Sequence, residues 1–161
     1  MRTKSGKASR CLVKSSSSTL RTRDEDRKEG TFRKLLHGTI NHGEQIISSD
    51  RRSEPISYFG PDSGIARARQ ALERPEMRVG VIGLGAGVFM AWSRAGDTYR
   101  IYEINPQVLD IAGVQGTEFT YLKDSQKRGA KIEVVLGDGR LALERDPPQK
   151  YDLLSIEDRK S

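Results

Sequence analysis

The feature that most constrains this chain is the run Arg78 to Gly87, in which the apolar stretch Arg78 to Ile82 closes on Gly83-Leu84-Gly85-Ala86-Gly87. A short apolar run bounded by glycines predicts a buried strand, and the apolar segment that follows, Val88 to Ala95 before Gly96, predicts a helix. A strand that ends in small residues and opens a helix lets a ligand approach the backbone at a helix N-terminus. The same alternation continues downstream. Arg100 to Ile104 predicts a strand, Asn105-Pro106 an N-cap with proline in the first helical position of Gln107 to Ala112, and Lys131 to Leu136 a third strand. Arg140 to Glu144 reads as a short helix and Tyr151 to Ile156 as a fourth strand. Strand and helix in this order predict an α/β fold with a doubly wound parallel sheet of the Rossmann-like, class I methyltransferase-like kind.

Upstream, the segment Thr31 to Asp50 mixes short apolar groups with His37-Gly38 and His42-Gly43, which predicts short strands or a hairpin as a β lead-in. From Ile65 to Leu72 the residues Ile65, Ala68, Ala71 and Leu72 fall at helical spacing, with Arg67 and Arg69 expected outward and the helix ending before Pro75. Residues 1 to 23 hold seven basic residues and no acid, together with the polar run Ser15 to Ser18, and are expected to be a disordered basic tail. The expected organisation is therefore a tail over 1–23, a β lead-in over 24–60 and a nucleoside-binding domain over 61–161.

Charge matters once that tail is set aside. The chain of 161 residues carries 28 Lys and Arg against 22 Asp and Glu; without the seven basic residues of the tail, 21 face 22. The remainder is nearly neutral, so the sequence offers no basic face of the kind that binds nucleic acid by displacing counterions. No apolar run approaches the roughly 20 residues of a membrane span, and no apolar stretch follows the basic start as in a secretion signal. A cytoplasmic location is expected. Cys11, the single cysteine, is read as a free thiol.

Three strand ends carry candidate ligand groups. The turn has the form G-x-G-x-G; the third glycine of the dinucleotide fingerprint falls on Val88, which favours a mononucleoside over NAD. Glu103, at the end of the second strand, is placed to accept hydrogen bonds from both ribose hydroxyls, or is a strand-end carboxylate facing solvent. Asp138 and Gly139 follow the third strand, where the acid suits an adenine amino group and the glycine leaves room for the ring; Gly137-Asp138-Gly139 equally satisfies a turn. Glu157 and Asp158 follow the fourth strand, where a carboxylate can take a proton from an attacking amine, or are charges at a fraying end. His37 and His42 lie near Glu44 without a second cluster to complete a metal shell, and read as turn histidines. No metal site and no serine or cysteine nucleophile is expected. Phe89, Met90 and Trp92 read as core.

The motifs His37-Gly38-Thr39 to Gly43-Glu44-Gln45, Ser57 to Ile65, Val81 to Gly87 and Tyr102-Glu103-Ile104-Asn105-Pro106 together resemble the spermidine synthase (polyamine aminopropyltransferase) family, most closely a bacterial spermidine-synthase-like branch. The resemblance spans about Thr19 to Ile156. It implies a transferase of polyamine biosynthesis that uses decarboxylated S-adenosylmethionine, or S-adenosylmethionine, as a co-substrate without a permanently bound cofactor. It also implies roles for residues: Gln45, Gly83, Gly85, Gly87, Glu103, Asp138 and Gly139 toward the nucleoside, Tyr58 and Asp62 toward a polyamine, and Glu157 with Asp158 in catalysis. Where many members have a histidine and an aspartate to hold the amine, this chain has Phe59 and Ala86. The last strands and the loop that closes the polyamine site have no counterpart, so the resemblance implies a domain truncated at its C-terminus. A parallel sheet stopping at the fourth strand leaves apolar surface and an unpaired edge, which predicts poor solubility alone or pairing with another chain, as in a homodimer.

Overall fold

The computed structural model describes residues 12–14, 19–48 and 50–156. Among the described residues eight strands form two sheets, accompanied by four α-helices. The first is antiparallel, in the order β1 (Leu12–Lys14), β2 (Thr19–Arg27), β3 (Gly30–His37), β4 (Ile40–Ile46). The second is parallel, in the order β7 (Lys131–Leu136), β6 (Thr98–Glu103), β5 (Arg78–Ile82), β8 (Leu153–Ile156). The helices are α1 (Gly64–Leu72), α2 (Pro106–Ala112), α3 (Tyr121–Lys127) and α4 (Gly139–Arg145). This is the expected Rossmann-like, methyltransferase-like α/β sheet. From β5 the chain moves outward through β6 to β7 and then crosses back to β8 on the other side of β5. That reversal creates a switch point, the place where open α/β sheets bind ligands.

One face of the parallel sheet makes the core. Val79, Val81, Tyr99 and Ile101 are buried there against Ile65, Phe89, Met90, Ile111 and Leu122. The local signals explain the elements: Asn105 caps α2 by accepting the Gln107 N–H at 3.0 Å with Pro106 at the first position, and Ser63 caps α1 by accepting the Ala66 N–H at 3.2 Å. The other face carries α4, packed over β5 and β6.

Four expectations are corrected. Thr19–Arg27 is a strand, so the tail does not run to residue 23. Leu20 is buried and its strand pairs with β3 from Leu20↔His37 to Arg27↔Gly30. The other residues expected in the tail, 1–11 and 15–18, lie outside the described residues, Cys11 among them. Arg69 does not point outward beside the exposed Arg67. It is fully buried and meets Asp97 at 2.9 Å, so the inner face of α1 is Ile65, Ala66 and Arg69. The helix expected over Val88 to Ala95 is a single 3₁₀ turn, Val88–Trp92. It stops because Arg128 donates to the Met90 carbonyl at 2.8 Å and Ser93 turns to share a 2.6 Å hydrogen bond with Ser125. Finally, α3 was not anticipated: its apolar residues Tyr121 and Leu122 are adjacent rather than spaced at three or four, so no periodicity announces it.

Candidate functional site

A cleft of about 570 Å³ lies at the carboxyl ends of the parallel strands. The sheet side is lined by Ile82 of β5 with Gly83 and Gly85 after it, by Tyr102 and Glu103 of β6, and by Gly137, Asp138 and Gly139 after β7. Ile156 of β8 lines it too. The opposite wall is not part of the parallel sheet at all: Leu20, His37 and His42 come from the antiparallel sheet.

That wall is attached to the glycine turn itself. The Ala86 N–H donates to the His42 carbonyl at 3.0 Å. Contact is close because residue 43 is glycine: a Cβ there would lie 2.8 Å from the Ala86 Cβ, and its φ of +118° is one that other residues rarely adopt. Gly83, Gly85 and Gly87 likewise take φ of +90°, +53° and +78°, which bends the chain sharply at the end of β5.

The turn's donors are mostly engaged within the protein. Gly83 N–H donates to the Tyr102 carbonyl at 2.8 Å, Leu84 N–H to Glu103 Oε2 at 2.8 Å, and Gly87 N–H to the Leu84 carbonyl at 2.9 Å. With Ala86 N–H on His42, four of the five turn amides are taken. A pyrophosphate cradle needs those amides free and a full helix dipole behind them. Here four of those amides are engaged and the turn leads only into a 3₁₀ segment of five residues.

Glu103 is 4% exposed and accepts from the Leu84 N–H through Oε2 at 2.8 Å and from the Asn105 N–H through Oε1 at 2.9 Å. It therefore ties the glycine turn to the head of α2. Each carboxylate oxygen keeps a further lone pair with which to accept from a ligand hydroxyl. Asp138 caps α4 through Oδ1, which accepts the Leu141 N–H at 3.0 Å. A Cβ on Gly139 would lie 3.0 Å from Ile82 Cγ2 and 3.1 Å from Tyr102 Cβ, so this glycine also lets α4 settle onto the sheet. Arg140, the nearest cation of that wall, is ion-paired with Glu144 at 2.9 Å.

The cleft thus brings together Gly83, Gly85, Glu103, Asp138 and Gly139. Gly87 lies behind it. Gln45 is 1% exposed and occupied elsewhere: its Nε2 donates to the Arg52 carbonyl at 2.8 Å and to Thr120 Oγ1 at 2.9 Å, and its Oε1 accepts the Thr120 N–H at 3.0 Å. It pins β4 to the start of α3. Tyr58 and Asp62 are exposed and line a separate shallow depression with Ser57, Gly60, Pro61 and Ser63. Glu157 and Asp158 lie outside the described residues. Phe59 faces Phe89 with ring centroids 6.1 Å apart and its carbonyl receives the Trp92 Nε1–H at 2.8 Å, so it packs inward. Glu44, next to Gln45, is held below the ordinary carboxylate range. Burial alone would raise it, but a two-pronged contact from Arg27 at 3.1 and 2.8 Å and the Ser57 hydroxyl at 2.9 Å outweigh that.

Reading the sequence overlooked the lead-in wall. Leu20 carries no motif, and His37 and His42, although they stand in the motif His37-Gly38-Thr39 to Gly43-Glu44-Gln45, read only as turn histidines flanking one hairpin. Their imidazole centroids are 5.6 Å apart, tilted by 46°. Among the described residues no group of three or more His, Cys, Asp or Glu is placed to hold a metal ion, and no helix is long and apolar enough to cross a membrane.

No protein-family model matches the chain, and neither does any curated protein sequence. A solved structure that is similar is a spermidine synthase in complex with the transition-state analogue AdoDATO, at 14% identity and a TM-score of 0.48, over 91% of this chain. The chain spans 46% of that protein's length.

Proposed function

We propose that the cleft binds an adenosine-type nucleoside bearing a sulfur group at its 5′ position, and that the chain is the nucleoside-binding portion of a spermidine-synthase-like aminopropyltransferase. Decarboxylated S-adenosylmethionine is the donor and methylthioadenosine the product; the acceptor is a polyamine. One observation carries the nucleoside reading: Glu103 and the Asp138-Gly139 pair line one cleft beside a glycine turn whose amides are already engaged. In this assignment Glu103 accepts from the ribose hydroxyls, Asp138 accepts from the adenine amino group, and the turn supports the ribose without binding phosphate. Glu157 or Asp158, next in the chain after Ile156, takes the proton of the attacking amine. The resemblance assigns Tyr58 and Asp62 to the acceptor side, and they line a depression separate from the nucleoside cleft.

A second reading, binding of the nucleoside without aminopropyl transfer or with S-adenosylmethionine as a methyl donor, is favoured by Phe59 and Ala86. Phe59 packs inward and Ala86 is buried, so neither offers a group to an amine. A thermal-shift panel of decarboxylated S-adenosylmethionine, S-adenosylmethionine, methylthioadenosine and NAD separates these readings. Stabilisation by methylthioadenosine but not NAD is expected, and equal or greater stabilisation by NAD would defeat the nucleoside assignment. Incubation with decarboxylated S-adenosylmethionine and putrescine should release methylthioadenosine. Binding without release would leave the second reading standing.

A further inference from the structure

We propose that the His37–His42 pair is the part of the cleft that recognises the sulfur substituent at the 5′ end of the nucleoside. The inference rests on the nucleoside reading above, and it assigns a role to two histidines that the sequence reads only as turn residues.

The strand order fixes which end of the ligand meets that wall. The ends of β7, β6 and β5 stand side by side, with neighbouring strands about 4.8 Å apart. Asp138 follows β7, Glu103 ends β6, and the glycine turn follows β5. A nucleoside with its base at Asp138 and its ribose at Glu103 therefore runs along the sheet edge toward the glycine turn, and its 5′ carbon points at β5. The residue held directly against that turn is His42, through its carbonyl on the Ala86 N–H at 3.0 Å. His37 stands beside it across the hairpin, and both line the cleft.

Two tilted aromatic rings suit one chemistry in particular. A thioether sulfur makes favourable contacts with aromatic rings, and a sulfonium is a cation that an aromatic π-face attracts. Leu20 and Ile156 also line the cleft, and such apolar side chains suit a methylthio or alkyl-sulfonium group better than a bare hydroxyl. The preferred ligand class is thus a 5′-thio or 5′-sulfonio adenosine, not adenosine itself.

Calorimetric titration of the full chain with adenosine and with 5′-methylthioadenosine, which differ only at the 5′ position, tests this. The wild-type chain should prefer methylthioadenosine by about tenfold, the size of two sulfur–aromatic contacts. The variant H37A/H42A should lose most of that preference, read as the ratio of the two affinities whatever the affinity for adenosine itself, while H37F/H42F, which keeps aromatic faces, should retain it better. An unchanged preference in H37A/H42A would overturn the assignment. Should the double variant bind neither ligand, H37A alone, at the more exposed position, decides by the same ratio. If the wild-type chain bound neither, the nucleoside reading itself would fall, whereas binding both equally would overturn only the role of the histidine pair.

Discussion

At the scale of single residues, the buried polar groups set the sharpest expectations. Asp97 is fully buried and accepts from the Met77 N–H at 3.0 Å, the Arg94 N–H at 2.8 Å and Arg69 Nη2 at 2.9 Å, so it joins α1 to the entry of β6. Removing the cation would leave an uncompensated buried carboxylate. Arg69→Met is therefore expected to destabilise by about 3 kcal/mol or more, read by chemical denaturation. Tyr99 lies close by, fully buried, with a hydroxyl that has no hydrogen-bond partner among the described residues. Tyr99→Phe removes an unsatisfied polar group and should be neutral or stabilise by about 1 kcal/mol. The same burial pushes the Tyr99 phenol up to about 12. A folded-state pKa above the unfolded value means the folded chain holds the proton more tightly, so its contribution is complete below the ordinary tyrosine range and is lost as pH rises through about 10 to 12. Denaturation midpoints should fall across that window and fall less in Tyr99→Phe. Glu103 combines structure and site: Glu103→Ala leaves the Leu84 and Asn105 amides without their acceptor, and is expected to cost about 2 kcal/mol along with nucleoside binding.

Between elements, the decisive joint is the docking of β4 on the glycine turn. Gly43→Ala would place a methyl group 2.8 Å from the Ala86 Cβ at a backbone angle that alanine resists. A loss of about 2 kcal/mol or more is expected, together with weaker nucleoside binding, because the displaced wall carries the histidines. Thermal melts with and without methylthioadenosine would check both parts. The elements whose signals are local were legible in the sequence. Residues 78–82 and 131–136 stand as strands with the expected bounds, and Asn105-Pro106 opens α2 as their chemistry requires. Elements set by contact were not legible: β2 begins in a stretch rich in serine and basic residues, and the 3₁₀ turn after Gly87 stops where Arg128, 38 residues on, takes its carbonyl.

Over the whole molecule, the two faces of the parallel sheet are unequally covered. Among the described residues one face holds most of the core, while on the other Leu141, Leu154 and Ile156 remain 41 to 61% exposed. Parallel sheets are normally buried on both faces, so we expect this surface to drive association of the chain with itself. Light scattering after size exclusion should show dimers or larger species, and Leu154→Lys should shift them toward monomer; a monodisperse wild-type monomer would contradict this. From its sequence alone this protein is legible as a βαβ chain with a glycine turn, an acid after the second strand and an acid-glycine pair after the third, because periodicity, caps and turn residues act between near neighbours. The tertiary structure alone decided that Arg69 is buried, that Gln45 is a rivet outside the cleft, and that His37 and His42 form its far wall. Those outcomes depend on which surfaces meet across tens of residues, and a docking interface between two sheets leaves no period in the chain that builds it.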